Sequence, residues 1–595
     1  MAEYDERQLA LLGPALDQSE ESTKLQTSDS EQQEFFTALQ SLPPSALPLD
    51  CDLSETPNPS DQLADVSMDQ LAVRWDPRIR VVFKCPRGLT IQIDQAEQQA
   101  LTISSRPQGS SEHTPFVDLI GCIQGRSDAM FSLKAGIIHC NFFYMPNCDN
   151  VIMYNWGDLL EVQCGSESEF SAKLPSTECC TLTLGTWKVG TPKQALEFQL
   201  WPRQYSITIE EERLLRKRKP NTRVLPAAKR SHMPGPDRLP LMHLETPLSL
   251  SLEGEIARIA YTLADDEDWL AYRPSEGQTL SMRHQDADDP GYCLAYEHTR
   301  WERQSRISHT FKAIMIDDRT SAKPVVVKSF KQPHKMYAQE EGKRRLAITS
   351  AARMWYTEFK QHRQLDHPQI ARLLGYDARI HTLFIEFHSF PDLSSLHWRS
   401  NAGLFKGSHT DAHRILTDIS SALIYLEDKG ILHNDIKPGN ILYGENFAGT
   451  RSGAILIDFG MAQEETGSLV MGGTPWYVPR EFAEARRGYP ADIWSLGISM
   501  LYLRKHIQLP EKLPQYQGWN LAECRGGHIP EQMLRWLKAI GNLQSNLQAS
   551  CWNSKREGYE LDLIICKMLK ENAGDRITRS ELVQQTREWR DRGSR

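Results

Sequence analysis

The chain has 595 residues, of which 40% are hydrophobic and 24% charged, and a formal net charge of -9. At roughly 100–200 residues per domain this length predicts several domains, and the negative balance argues against nucleic-acid binding by bulk electrostatics. No apolar run reaches the ~18 residues of a membrane-spanning helix, so no membrane partner is expected.

The N-terminus, Met1-Ala2-Glu3-Tyr4-Asp5-Glu6, lacks the basic-then-apolar order of a secretory leader. The 12 cysteines form no C-x-x-C pair, and adjacent Cys179-Cys180 suit neither a zinc site nor a disulfide ladder. They read as reduced thiols of an intracellular protein. Residues 1–65 are acidic and rich in Ser, Gln and Pro, with only Arg7 and Lys24 as bases. Such a segment buries little apolar area and is expected to be disordered. Within it, Glu34-Phe35-Phe36-Thr37-Ala38-Leu39 reads either as a loosely attached helix or as a partner-binding motif.

From 66 to 210 the pattern is β-rich. Arg80–Phe83, Leu89–Ile93, Val151–Tyr154, Cys180–Leu184 and Leu196–Trp201 are short β-branched or aromatic runs, punctuated by Gly88, Asn147, Asn150, Gly157, Gly185 and Pro192. Strands at this spacing predict an all-β sandwich or barrel. Alternation puts Leu196, Phe198 and Leu200 on one strand face. In strand rhythm, and in Asp149-Asn150-Val151-Ile152 leading to Tyr154-Asn155-Trp156, the segment resembles the forkhead-associated β-sandwich family, which implies a phosphoprotein partner. The Gly-Arg and Ser-x-x-His elements by which that family grips phosphate are not identified. The expectation is therefore a non-catalytic sandwich of unassigned ligand.

Residues 211–245 form a basic, Pro-containing linker. Arg216-Lys217-Arg218-Lys219-Pro220 with Lys229-Arg230 reads equally as a solvated linker or as a nuclear-localisation signal, and Pro234, Pro236 and Pro240 make the C-terminal part of the linker stiff and extended. Localisation is accordingly intracellular, in nucleus or cytoplasm. Over 246–290, Leu248–Leu252 and Ile256–Tyr261 predict a hairpin turning at Glu253-Gly254-Glu255.

The remaining motifs come in a fixed order. Pro324-Val325-Val326-Val327-Lys328-Ser329-Phe330 is a β-branched run ending at a lysine. Glu358 lies in a helix predicted over Ala351–Leu365, before His367-Pro368. Leu383–His388 is a strand. Then come His433-Asn434-Asp435-Ile436-Lys437-Pro438-Gly439-Asn440, Asp458-Phe459-Gly460, Gly473-Thr474-Pro475-Trp476-Tyr477-Val478-Pro479-Arg480-Glu481, Asp492–Gly497 and Asp575-Arg576. From about Tyr292 to Trp589 this order resembles the eukaryotic protein-kinase family, Ser/Thr type. The resemblance implies an α+β bilobal fold with an N-lobe over 291–390 and a C-lobe over 391–590.

It also implies ATP and Mg²⁺ as cofactors and a protein substrate, itself unknown. Asp435 and Lys437 would be catalytic, the first facing the substrate hydroxyl and the second the γ-phosphate. Asn440 and Asp458 offer hard oxygen ligands that suit Mg²⁺. Lys328, paired with Glu358, would hold the α- and β-phosphates. Glu386 and His388 would meet adenine through their backbone, with Ile385 as gatekeeper and Leu442 as pocket floor. Thr474, Glu481, Asp492 and Arg576 would build the substrate platform and its support, while His433 is read as packed.

Two departures from the family pattern bear on function. The Gly-rich phosphate loop aligns best with Gln304–Phe311, which contains no glycine, so close backbone approach to phosphate is restricted. Asn434 replaces an arginine that would grip a phosphorylated activation loop. Activity without phosphorylation at Thr466 or Ser468 is the expectation. The leading reading is a Ser/Thr protein kinase with a regulatory N-terminal half. The alternative is a pseudokinase or scaffold with impaired ATP binding. A kinase fold acting on a small molecule fits the Thr474 segment poorly.

Overall fold

In the computed structural model the described residues run from 67 to 586, with gaps of which 212–268 is the longest. The expected acidic tail, the basic cluster at 216–219 and the 248–261 hairpin lie outside the described residues. The chain divides into two compact units, Asp50–Arg345 and Leu346–Arg595. Among the described residues no helix is long and apolar enough to cross a membrane.

The first unit opens with a two-sheet sandwich. Its strands are β1 (Ile79–Lys84), β2 (Ile91–Asp94), β3 (Leu101–Ser105), β4 (Val117–Ile123), β5 (Met130–Ala135), β6 (Ile138–Tyr144), β7 (Val151–Asn155), β8 (Leu160–Cys164), β9 (Phe170–Leu174), β10 (Cys179–Leu182), β11 (Gly185–Thr191) and β12 (Gln194–Leu200). One sheet runs β3-β4-β1-β12-β11-β8-β9 and the other β10-β7-β6-β5-β2. Alternating side chains from both sheets meet in one core, with Leu196, Phe198 and Leu200 of β12 all buried on its inner face. Its centre is aromatic: Phe142 stacks on Phe131 at 4.7 Å and meets Phe83 and Phe198 edge-on at 5.7 and 5.6 Å. β1 is buried on both faces because Met68 and Leu71 cover its outer side beside Val82, Leu119 and Trp201.

The chain leaves the sandwich through β13 (Tyr205–Glu211), which lies within the span expected of that domain but pairs elsewhere. Its partner is β15 (Gln278–His284), in register from Tyr205 opposite His284 to Glu211 opposite Gln278. The same sheet continues through β16 (Tyr292–Tyr296), β18 (Ser308–Asp317) and β19 (Lys323–Phe330), and β17 (Arg303–Gln304) pairs back on β18. β14 (Trp269–Leu270) pairs separately with β20 (Gln332–Pro333). Arg203 anchors the exit from the sandwich, donating to the Pro146 carbonyl and pairing with Asp149 at 3.2 Å. A Gly-Arg pair does stand at Gly125-Arg126, directly after β4. The Arg126 guanidinium lies over the Tyr292 ring of β16, 5.0 Å from its centroid.

Ser308 to Phe311, within the Gln304–Phe311 stretch aligned with the phosphate loop, form the start of β18, where His309, Phe311 and Ala313 alternate inward. His309 packs beside Phe311. Arg303 and Gln304 of β17 stand opposite Thr310 and His309 of β18, so the two strands meet inside the aligned stretch, which lacks glycine.

The second unit begins inside helix α1 (Glu341–His362), which starts ten residues before the predicted 351. Strong helix formers and the Glu341–Arg345 pair carry the extra turns. Trp355 of α1 donates to the Thr382 carbonyl, joining the helix to β22 (Thr382–Glu386), which pairs with β21 (Leu373–Asp377). α2 (His409–Asp428) starts at a capping box made by Ser408 and Asp411. Then come β23 (Ile431–Leu432), β24 (Ile441–Glu445), β25 (Ser452–Leu456), β26 (Gln463–Glu464), α3 (Tyr489–Leu503), α4 (Glu531–Asn553) and α5 (Tyr559–Met568). α2, α3 and α5 enclose one apolar core around Ile415, Leu416, Leu496, Leu501 and Ile565. α3 is buried almost all round, as its near-continuous apolar sequence requires.

Candidate active site

The residues with chemical potential cluster between β23 and β24. β23 pairs with β26 and β24 with β25, so two short ladders hold the ends of a polar loop. Asp492, in the first turn of α3, fixes the loop itself. Its carboxylate accepts the backbone N–H groups of His433 at 2.8 Å and Asn434 at 2.9 Å. Burial raises the Asp492 pKa, against the opposing influence of His433 and those two N–H groups. Asn434 adopts φ 64, a left-handed conformation that Asn tolerates better than most residues, and its amide donates to the Met461 carbonyl.

The turn at Asn434 delivers Asp435 into a three-way network. Lys437 Nζ lies 2.8 Å from Asp435 Oδ2 and donates to Thr474 Oγ1 at 2.7 Å. Thr474 Oγ1 in turn donates to Asp435 Oδ1 at 2.7 Å. Asn440 Nδ2 donates to both the Asp435 carbonyl and Oδ2 at 2.9 Å, which directs its Oδ1 elsewhere. Burial acts to lower the Lys437 pKa, but the neighbouring charges of Asp435 and Asp458 more than offset it and the net shift is upward. The amine therefore stays cationic at neutral pH. Asp458, 18 residues beyond Asn440 in sequence, is joined to this loop through the Ile457 N–H, which donates to the Asn440 carbonyl. Asp458 takes φ 66, and its carboxylate accepts the Gly460 N–H at 3.4 Å.

His433 is fully buried and packs edge-on to Phe459 at 5.0 Å, as its reading as a packed residue implies. Burial lowers its pKa, so it is neutral. Phe459 also meets His362, the last residue of α1, at 4.8 Å. His362 is held by the Ala371 carbonyl at 2.7 Å. This His362–Phe459–His433 column ties α1 to the catalytic loop, and it was missed in the sequence. Its one signal is that His362 lies one helical turn after Glu358. Glu358 itself is fully buried in α1, and Lys328 lies on β19 in the first unit, its Nζ 5.5 Å from the Phe330 ring centroid.

On β22, Ile385 is buried, and the Glu386 carboxylate pairs with Arg372 at 3.3 Å while its N–H donates to the Arg372 carbonyl. His388 is buried beside Phe390. Leu442 is buried on β24, bridged to Asp392. Below the loop, half-buried Glu481 and buried Arg576 form a pair, with Nη2 to Oε2 at 2.9 Å, and Arg576 also lies over Trp494. The Thr474–Glu481 segment is pinned by Trp536, which donates to the Trp476 carbonyl, and by Ser495, which donates to the Tyr477 carbonyl. Tyr477 OH donates to Glu511 at 3.0 Å, another partner not read from the sequence.

Chemically, the cluster offers a carboxylate and an ammonium 2.8 Å apart, with an amide oxygen and a second carboxylate alongside. Among the described residues no group of three or more His, Cys, Asp or Glu could hold a metal by itself. A two-ligand set such as Asn440 with Asp458 fits Mg²⁺, which takes one or two protein ligands and completes its shell with phosphate and water.

Comparison with known proteins agrees with this arrangement. Residues 309–587 match the family described as "Protein kinase domain". A serine/threonine-protein kinase C from Synechocystis sp. is 32% identical over 161 residues, covering 25% of this chain and 28% of the relative. A calcium/calmodulin-dependent protein kinase type 1 from Macrobrachium nipponense is 34% identical over 149 residues, covering 24% and 41%. A calcium-dependent protein kinase 5 from Plasmodium falciparum is 33% identical over 228 residues, covering 37% and 35%. The chain spans less than half the length of each of these relatives.

Proposed function

Since residues 309–587 form a protein kinase domain, we propose that the chain transfers the γ-phosphoryl group of ATP to Ser or Thr hydroxyls of proteins, with its N-terminal half as a non-catalytic regulatory part. The observation that carries this reading is the Asp435–Lys437–Thr474 network. It joins the carboxylate and ammonium that phosphoryl transfer uses to the segment that would carry a peptide.

Phosphoryl transfer is mainly positioning and charge neutralisation. Asp435 accepts the proton of the incoming hydroxyl and aims that oxygen at the γ-phosphorus, so that the O–P bond forms as the bond to ADP breaks. Lys437 balances charge on the transferring group. Lys328 holds the remaining phosphates, and Leu442 with the backbone of Glu386 and His388 receives adenine. Asn440 and Asp458 would hold Mg²⁺, which when bound would neutralise the phosphate oxygens.

The glycine-free sequence between Tyr296 and Ser308 favours a second reading, a scaffold that binds nucleotide poorly. Mg·ATP binding and transfer to a mixed protein substrate, with Asp435→Asn as control, separates the two. Nucleotide-dependent transfer lost in the variant is the expected result. A wild type that neither binds Mg·ATP nor transfers phosphate sinks the catalytic reading. Free cysteines on every described element that carries one suit an intracellular site of action, and Arg216–Lys219 is the argument for the nucleus over the cytoplasm. The sandwich is the natural place for a protein ligand, a phosphoprotein among the candidates.

A further inference from the structure

With Asn434 in the catalytic loop, no charged side chain from that position reaches the end of the segment after Asp458, yet Thr474 is placed within hydrogen-bond distance of Asp435. The backbone before Thr474 must be held by something else. Gly473 turns at φ 133, and a Cβ there would stand 3.1 Å from the Asn434 carbonyl and 3.8 Å from Arg487 Nη2. Arg487 comes from the opposite side, from the stretch between the 3-10 turn Arg480–Glu484 and α3. Its Nη2 donates to the Gly472 carbonyl. Its guanidinium lies over the Phe482 ring at 4.8 Å.

Arg487 also lines a small cavity with Asn434, Val478, Pro479, Phe482 and Asp492. Three elements thus meet at one guanidinium: the catalytic loop, the start of α3 and the end of the activation segment. Burial lowers the Arg487 pKa to about 10, while Asp492 and Asp435 act against that shift, so the side chain remains a cation at neutral pH. A partly buried cation depends on its partners. Moving Gly472 away would strip this one of a hydrogen bond, and this biases the segment toward the placed state.

We propose that Arg487 is a positioning residue that holds Gly472 and Gly473 so that Thr474 reaches Asp435 and Lys437 with no phosphate on the activation segment. The inference rests on the kinase reading. It assigns to a residue outside the catalytic loop, built into the fold, the holding task that a phosphorylated side chain would otherwise serve.

The test uses the full-length chain after phosphatase treatment, with absence of phosphate checked by mass spectrometry. Wild type is compared with Arg487→Met and Arg487→Lys for kcat and for the KM of ATP. The expected result is a treated wild type that keeps its rate, at least a roughly tenfold loss of kcat in Arg487→Met (~1.4 kcal/mol of barrier) with KM for ATP within about twofold, and recovery to within about threefold of wild type in Arg487→Lys. A purely structural role would not give that split or that rescue. Should Arg487→Met fail to fold, Arg487→Ala, which likewise removes the hydrogen-bond donor, takes its place with the same expected loss. A neutral variant as fast as wild type overturns the proposal, and so does a wild type that loses its rate on dephosphorylation and regains it on rephosphorylation. A wild type with no transfer in either state instead overturns the kinase reading.

Discussion

The loop that carries Asp435 and the pairing of β17 with β18 are specified in opposite ways. Around Asp435 nearly every residue has a private partner: Asp492 takes two N–H groups, Asn440 and Thr474 grip the carboxylate, and Lys437 spans both. Such contacts need particular side chains at particular spacings. β17 is set against β18 instead by backbone pairing, Arg303 opposite Thr310 and Gln304 opposite His309, which any sequence of the right alternation can form. The first kind of arrangement can be located from its residues alone. The second cannot, and the family match itself begins only at residue 309.

Substitutions can break or sharpen this contrast. The largest effect is expected for Asp435→Asn, which keeps shape but removes the proton acceptor. A kcat loss of about 10³–10⁴-fold is expected for loss of a general base, equivalent to about 4–5 kcal/mol of barrier. A loss below about tenfold would show that the network is structural only. Next, Phe142→Ala removes the ring shared by both sandwich sheets and should cost about 3–5 kcal/mol of stability, read as a lower unfolding midpoint of the full chain. An unchanged midpoint would mean that the aromatic centre contributes little. Arg576 is buried and Glu481 half-buried beside it, so Arg576→Met leaves a carboxylate short of its partner and should cost up to about 3 kcal/mol; a silent variant would show that the pair contributes nothing.

A gain of function probes the weaker loop. Glu302→Gly combined with Ser305→Gly should lower the KM for ATP several-fold, on the order of 1 kcal/mol by the conversion of rate to free energy. An unchanged KM would show that glycine is not what limits nucleotide binding. A pH slope gives a separate readout. Burial lowers the His381 pKa from 6.5 to about 3, so the folded chain binds fewer protons than the unfolded one. Its contribution is complete above pH 6.5 and declines as pH falls toward about 3. His381→Asn, which tolerates the φ of 47 found there, should flatten the fall in melting temperature between about pH 6.5 and 4. Parallel curves for the two proteins would refute this assignment.

Much of the candidate site was legible because its residues stand in a characteristic order. Asp435, Lys437, Asn440 and Asp458 could be named from the resemblance of their order and spacing to protein kinases, and so could the partnership of Glu481 with Arg576. His362, Glu511 and Arg487 were not legible. A histidine ending a helix, a glutamate in a loop and an arginine before a helix carry no spacing signal, and their roles exist only through what the fold sets beside them. In the first unit, a β-branched run located β1, and alternation located the buried face of β12. The same alternation could not say that β13 leaves the sandwich to pair with β15, since pairing choice is a long-range matter.

The sequence by itself therefore determined the local periods, the β-rich character of the N-terminal half and the identity of the groups around Asp435, because each depends on residues close together or on chemistry that tolerates no substitute. Only the tertiary structure decided which strand adds to which sheet, that β17 pairs back on β18, and that Arg487 reaches Gly472. Those outcomes depend on contacts between residues far apart in the chain, where packing and backbone geometry choose among partners that the sequence leaves equivalent.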